Sequence, residues 1–121
     1  MTKEQVLNNF WNGFGVSAYD ESTVPDDAAL PRITYEMRTD NFGHPVLLVG
    51  SIWDRSKSWA SVTNIKDQIA EALARGGMNL PYEGGTMWVK RSTPFAQRMG
   101  DTDDSIRRIL INIEVEFTSE V

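Results

Sequence analysis

The sequence predicts a single α+β domain over residues 1–121, with the element order α-β-β-α-β-β and a mainly antiparallel sheet packed against two helices. Residues 32–40 (RITYEMRTD) and 106–117 (IRRILINIEVEF) alternate apolar and polar side chains, as half-buried strands do. Two other segments repeat apolar residues at helical spacing. A chain of 121 residues suits one domain that buries a core without disulfides or metal.

The first helix is predicted from about Lys3 to Asn12. Thr2 and Gln5 have the spacing of a capping box, and apolar residues follow every three or four positions. Gly13 and Gly15 end the pattern. The first element is therefore an amphipathic helix.

Residues 16–31 come next and show neither a helical nor a strand period. They carry four acidic residues together with Pro25 and Pro31. An ordered arm and a mobile loop both fit this composition, so the sequence predicts a long acidic loop or arm.

Residues 32–40 and 46–53 are predicted to pair as a hairpin, with DNFGHP as the turn. The second of these strands is apolar on both faces, because residues 46, 48 and 52 and residues 47, 49 and 53 are all apolar. A single layer of helices covers only one face of a sheet. Something else is therefore expected to cover the other face.

The second helix is predicted from Ser58 or Ser61 to about Arg75, where Gly76 and Gly77 close its apolar stripe. A short strand, TMWVKR, follows it, and the strand 106–117 ends the domain. In that last strand Ile109, Ile111, Ile113, Val115 and Phe117 share one face, which indicates the centre of the core.

Composition excludes several classes of function. Acidic residues outnumber basic ones by 17 to 12, a net charge of −5, whereas nucleic-acid binders usually carry a basic excess. The chain has no cysteine, which excludes disulfides and cysteine-ligated zinc and fits a reducing cytoplasm. The first residues lack the apolar region of a signal peptide, and no apolar run is long enough to cross a membrane. We expect a soluble domain.

No catalytic, cofactor-binding or metal site is predicted, and no enzyme activity is expected. His44, the one histidine, falls in the predicted hairpin turn, where polar residues collect for local reasons. Asp101, Asp103 and Asp104 lack the spacing of an EF-hand and are interpreted as a solvated loop. The paired glycines match neither phosphate-binding loop.

The stretch GSIWDRSKSW (50–59) places two of the four tryptophans around a polar segment, residues 54–58. Its indoles either pack into the core or face another molecule. Aromatic residues, methionine and arginine are enriched at protein interfaces. We therefore predict a surface for contact between subunits or with a partner, formed by residues in predicted corners and loops: Trp53, Arg55, Trp59, Phe95, Arg98 and Met99.

The order of these segments resembles a known family. The first helix, the acidic loop, LPRITYEM, GSIWDRSKSW and GGTMWVKRSTPFAQRMGD are together similar to the small tail-completion proteins of long-tailed bacteriophages and prophages. The resemblance to this tail-terminator group of the neck runs from about Phe10 to Phe117. Its motifs are aromatics, glycines and prolines, and no functional residue carries over from the family.

The resemblance implies a structural protein of the virion, located in the tail or neck and assembled in the cytoplasm of the bacterial host. Such proteins form a homo-oligomeric ring, commonly a hexamer, at the head-proximal end of the tail tube. The ring ends tube polymerisation and contacts the tail-tube protein and the head-completion or connector protein. DNA passes through its lumen without sequence-specific binding, and no cofactor or membrane is involved.

Three other functions are also compatible with the sequence. A head-completion or connector protein of the same neck would have a similar fold and ring. A small ligand- or peptide-binding module would use an aromatic pocket near Trp53 and Trp59. A metal-dependent hydrolase or nuclease would use Asp101, Asp103 and Asp104, but this chain lacks the histidines that would support such a site.

Overall fold

The computed structural model describes residues 1–38 and 45–119, with side chains as far as residue 118. They form one small domain of two helices and six strands. In chain order the elements are α1 (Lys3–Trp11), a 3-10 turn (Asn12–Phe14), β1 (Ser17–Asp20), β2 (Arg32–Tyr35), β3 (Val46–Arg55), α2 (Ala60–Leu73), β4 (Met78–Tyr82), β5 (Gly85–Met99) and β6 (Ile106–Ser119).

The six strands form one sheet in the order β1-β2-β3-β6-β5-β4. β1 and β2 pair in parallel, and every other neighbouring pair is antiparallel. The predicted α+β class, with a mainly antiparallel sheet against two helices, is confirmed. The predicted element order is incomplete, because β1 and β4 add a strand to each edge of the sheet.

Both missed strands lie at edges and are short. β1 has four residues, too few to show a period, and it lies inside the segment 16–31 that was expected to be a loop or arm throughout. β4 has five residues and contains Pro81. A proline is tolerated there because an edge strand leaves half of its backbone N–H groups unpaired.

β5 is much longer than the short strand predicted over residues 86–91. It continues to Met99 and changes register against β6 between Arg91 and Ala96. Pro94 lies inside this bulge, where the missing N–H costs no ladder hydrogen bond. Residues 92–99, expected in a loop, are therefore part of a strand.

The predicted helices are confirmed with small changes at their ends. At α1 the capping box is present: the Thr2 hydroxyl accepts from the Gln5 N–H at 3.2 Å, and the Gln5 side chain accepts from the Thr2 N–H at 2.9 Å. α2 begins at Ala60, whose N–H donates to the Ser58 hydroxyl at 3.1 Å. Neither helix in the described part of the chain has the length and apolarity that a membrane crossing requires.

The predicted hairpin is confirmed as the antiparallel pair β2–β3, in which Ile33 is opposite Ile52. β2 is shorter than predicted and ends at Tyr35. The turn of the hairpin, with His44, lies outside the described residues.

Both helices pack on the same face of the sheet, and one hydrophobic core lies between them and that face. β6 runs through its centre. The core side chains of β6 are all buried, as the alternation predicted: Ile109, Ile111, Ile113, Val115 and Phe117.

Trp11 fixes α1 on the sheet. Its indole is fully buried and stacks on the Tyr35 ring, with centroids 5.9 Å apart and an interplanar angle of 9°. Gly50 lies directly beneath it: a Cβ at this position would be 2.6 Å from Cη2 of Trp11. A glycine in the middle of β3 therefore makes room for the largest side chain of the helix.

We expect Gly50→Ala to destabilise the protein by about 1–3 kcal/mol, because the added methyl group overpacks the site against Trp11. Urea unfolding measures this change. Gly13→Ala is the matched control, since no heavy atom lies within 4 Å of a Cβ there. The control should be neutral or stabilise by about 0.4–1 kcal/mol. Equal effects of the two variants would contradict the packing described.

Ile113→Ala should reduce the free energy of unfolding by about 2–5 kcal/mol, because it leaves a cavity at a fully buried aliphatic position. Leu47→Ala, at an exposed position of the neighbouring strand, should change it by about 0.5 kcal/mol or less at concentrations where the chain is monomeric. A change below half a kcal/mol for Ile113→Ala would show that the faces of β6 are wrongly assigned.

Candidate assembly surfaces

Trp53 lies on the sheet face that carries no helix, because it alternates with the core residue Ile52. The Arg108 guanidinium covers its ring, with Cζ 4.6 Å from the ring centroid. The Trp53 indole N–H donates to the Thr34 hydroxyl at 3.0 Å, and Nε of Arg108 donates to the Ser51 hydroxyl at 3.1 Å. These contacts hold the half-buried indole in place within the monomer.

Trp59 lies on the helix side, immediately before α2. Two arginines flank its ring: Cζ of Arg98 is 4.7 Å and Cζ of Arg107 is 5.4 Å from the ring centroid. Arg98 is on this side because it pairs with the core residue Ile109. The cation–π contacts anchor the start of α2 to the end of the sheet.

The two tryptophans of GSIWDRSKSW therefore lie on opposite faces of the sheet. They do not line a common pocket, as the alternative of an aromatic ligand pocket required. Of the other predicted interface residues, Met99 pairs with Arg108 and so lies on the side of Trp53. Phe95 is half-buried against the core, with Cζ of Arg91 6.0 Å from its ring centroid.

The polar segment 54–58 is attached to the loop before β6. The Ser56 N–H donates to the Ser105 carbonyl at 2.7 Å, and Nη2 of Arg107 donates to the Lys57 carbonyl at 2.9 Å. Nη1 of Arg55 donates to the Ser105 hydroxyl at 2.9 Å and lies 3.4 Å from Oδ2 of Asp103. The Arg55 side chain is still 62% exposed, so its charge is available to a partner.

Asp103 acts as a local acceptor in this loop. Hydrogen bonds from the Ser105 hydroxyl and N–H lower the pKa of Asp103, and Arg55 lowers it further. Asp101 accepts from the Asp103 N–H at 2.9 Å. Among the described residues, no group of three or more acidic, histidine or cysteine side chains is arranged to hold a metal ion.

The helix-free face exposes apolar side chains. Leu47 is 49% exposed and Trp88 is 37% exposed, and Val49 and Leu110 on the same face are half-buried. An ion pair divides this surface, with Nζ of Lys90 3.0 Å from Oε2 of Glu114. The second apolar face predicted for β3 is thus present, and what covers it stays a prediction.

A second apolar feature is a cleft of about 380 Å³ on the helix side, between the two helices and β4. It opens onto the core through Val6, Phe10 and Phe14. Neither Trp53 nor Trp59 lines it.

Arg107 and Arg108 are the contacts that sequence reasoning missed. They are adjacent in β6, so their side chains point to opposite faces and reach the two tryptophans separately. The signal in the sequence was IRRIL, where two adjacent arginines interrupt an apolar strand.

No protein-family model matches the chain, and no curated protein matches it. Among solved structures, a chain of the "Virion of native gene transfer agent (GTA) particle" has a similar fold, with a TM-score of 0.60 and 14% sequence identity. The match covers 96% of this chain and 94% of that chain. At this identity the likeness shows a shared fold across nearly the whole of both chains.

We expect Arg55→Glu to leave the melting temperature of the monomer nearly unchanged, because an exposed ion pair contributes little to stability. If the segment 54–58 lies in an interface, the same change should weaken assembly more than tenfold. Thermal unfolding at low concentration and native mass spectrometry at high concentration separate the two effects. Unchanged assembly of this variant would remove the segment from the interface.

Proposed function

We propose that this protein is a structural component of a phage-like virion, a tail-completion protein that forms a ring at the head-proximal end of the tail tube. The ring ends tube polymerisation and joins the tail to the head through the connector protein. The observation that carries the proposal is the fold shared, from end to end, with a chain of a gene transfer agent virion. The resemblance of the sequence motifs to tail-terminator proteins supports the same role.

The surface of the domain supports a role in assembly. Leu47 and Trp88 are exposed on a sheet face that has no helix. A closed ring needs a heterologous contact, in which one surface of a subunit meets a different surface of the next. The apolar sheet face and the Trp53–Arg108 cluster are candidates for subunit or tail-tube contacts.

The charge of the chain also suits this role. A net charge of −5 repels duplex DNA, so the wall of a DNA conduit made from such subunits would not retain the duplex. In this proposal the protein is not an enzyme, and it needs no cofactor or metal.

The direct test is tail-tube assembly with and without this chain. The tail-tube protein of the same virus or prophage is polymerised alone and with the chain, and tube lengths are measured by electron microscopy. We expect added chain to stop elongation and to sit at one end of each tube, and native mass spectrometry to show a ring, with six copies as the expected number.

The control is the same assembly with bovine serum albumin in place of the chain. Tubes of unchanged length, with no chain bound at their ends, would contradict the tail-completion role. Recovery of the chain with portal-bearing heads and not with tubes would assign it to the head-completion side of the neck.

A further inference from the structure

We propose that neighbouring subunits of the ring join through opposite edges of the sheet, with an acidic segment of one copy held by a pair of arginines on the next. The acidic segment is residues 21–31, called the acidic arm below. The arginines are Arg75 and Arg91, called the arginine pair. This inference rests on the proposed ring and specifies how its copies recognise each other.

The acidic arm lies at the first edge of the sheet, where it connects β1 to β2. Glu21, Asp26 and Asp27 are exposed, and none of them forms an ion pair within the described part of the chain. Arg32, at the end of the arm, is half-buried, and its Nη1 donates to the Ala28 carbonyl at 2.9 Å. The outward charge of this edge is therefore negative.

The arginine pair lies at the other edge. β4 pairs with β5 only as far as Val89, so the described part of the chain places no strand beside the second half of β5 on that side. Arg75 follows α2, Arg91 lies at the start of the bulge, and both are exposed. With Ser92, Thr93 and Phe95 they line an open cleft of about 360 Å³.

Neither arginine has an acidic partner among the described residues. In contrast, Arg55 and Lys90 each lie beside a carboxylate. Two unpaired guanidinium groups beside two hydroxyl groups form a site that suits carboxylates, because guanidinium pairs with them through charge-assisted hydrogen bonds. Phe95 supports the guanidinium of Arg91 from one side.

The topology makes these two edges a matched pair for ring closure. β1 and β4–β5 are at opposite ends of the sheet, so one subunit can offer its acidic arm to one neighbour and its arginine pair to the other. A repeated contact of this heterologous kind closes into a ring when its rotation allows. A second copy of this chain is thus the occupant that the charges fit.

Charge exchange between variants tests the contact. One variant carries Arg75→Glu and Arg91→Glu, and a second carries Asp26→Lys and Asp27→Lys. Each alone should fail to form rings, with the subunit affinity reduced more than tenfold, because like charges then meet at every contact. Thermal unfolding of both variants checks that the monomers are folded.

Two combinations should restore assembly. An equal mixture of the variants should form rings in which the two alternate, since every contact then joins opposite charges. The quadruple variant should form rings by itself, and it keeps the wild-type net charge of −5. Native mass spectrometry distinguishes alternating rings from uniform ones by mass. Increasing NaCl to 1 M should weaken all of these rings. At that salt concentration the Debye length falls to about 3 Å, so the attraction between exposed charges on neighbouring subunits is screened.

The matched control carries Asp67→Lys and Asp104→Lys, the same charge change at exposed positions away from the acidic arm, and should form normal rings. Rings that survive in both single-edge variants would overturn the edge contact and leave the proposed function standing. Intact rings of Arg75→Glu/Arg91→Glu that bind duplex DNA more weakly than wild-type rings would also overturn the edge contact, because the two arginines would then contact DNA and not a neighbouring subunit. A wild-type chain that neither self-associates nor binds tail tubes would overturn the proposed function itself, and this contact with it.

Discussion

The packing of Trp11 over Gly50 determines how the rest of the domain is arranged. A fully buried indole stacked on Tyr35 leaves no space above the middle of β3, so only glycine fits beneath it. This contact sets α1 close to the sheet over β2 and β3. The hydrophobic contacts of α1, which include Leu7 and Phe10, then join those of α2 in a single core.

The same arrangement leaves the opposite face of the sheet without helices. β3, β5 and β6 place apolar side chains there as well as in the core, and Leu47 of β3 and Trp88 of β5 are exposed as a result. Monomeric proteins usually keep such apolar surface small, and larger patches mark contact sites. A domain whose core is complete on one face and whose other face is partly apolar is suited to assembly.

The end of the sheet that carries GSIWDRSKSW shows how arginine fixes aromatic residues on both faces. Arg108 covers Trp53 on the helix-free face, and Arg98 and Arg107 flank Trp59 on the helix face. The polar segment between them is hydrogen-bonded to the loop before β6. The corner is therefore rigid within the monomer, so a partner that binds it would lose little conformational entropy on binding.

The long regular elements were predictable because the spacing of their apolar residues shows which side chains face the core. On β6 every second residue from Ile109 to Phe117 belongs to the core, and α1 carries both its capping box and its apolar stripe. β1 and β4 escaped prediction because an edge strand of four or five residues shows too little periodicity, and β4 contains a proline. The length of β5 was missed because its bulge hides the alternation.

The candidate surfaces were predictable only in part. The sequence predicted that Trp53, Trp59 and Arg98 belong to one contact surface. They lie at one end of the sheet but on different faces, with Arg98 beside Trp59, and their role as a contact surface stays a prediction. Which face each occupies depends on strand register and on the bulge in β5, which the sequence does not state. Arg75 and Arg91 line one cleft because α2 ends and β5 has its bulge at the same edge of the sheet. Only the folded structure shows that these two places lie side by side.

The most direct test of this account is an electron cryo-microscopy reconstruction of the head–tail junction of the particles that contain this chain. The account predicts density for a closed ring of this fold, located between the last tail-tube ring and the head connector. The acidic arm of each copy should lie against β5 of the next. Particles with complete tails that lack this chain at the junction would contradict the account.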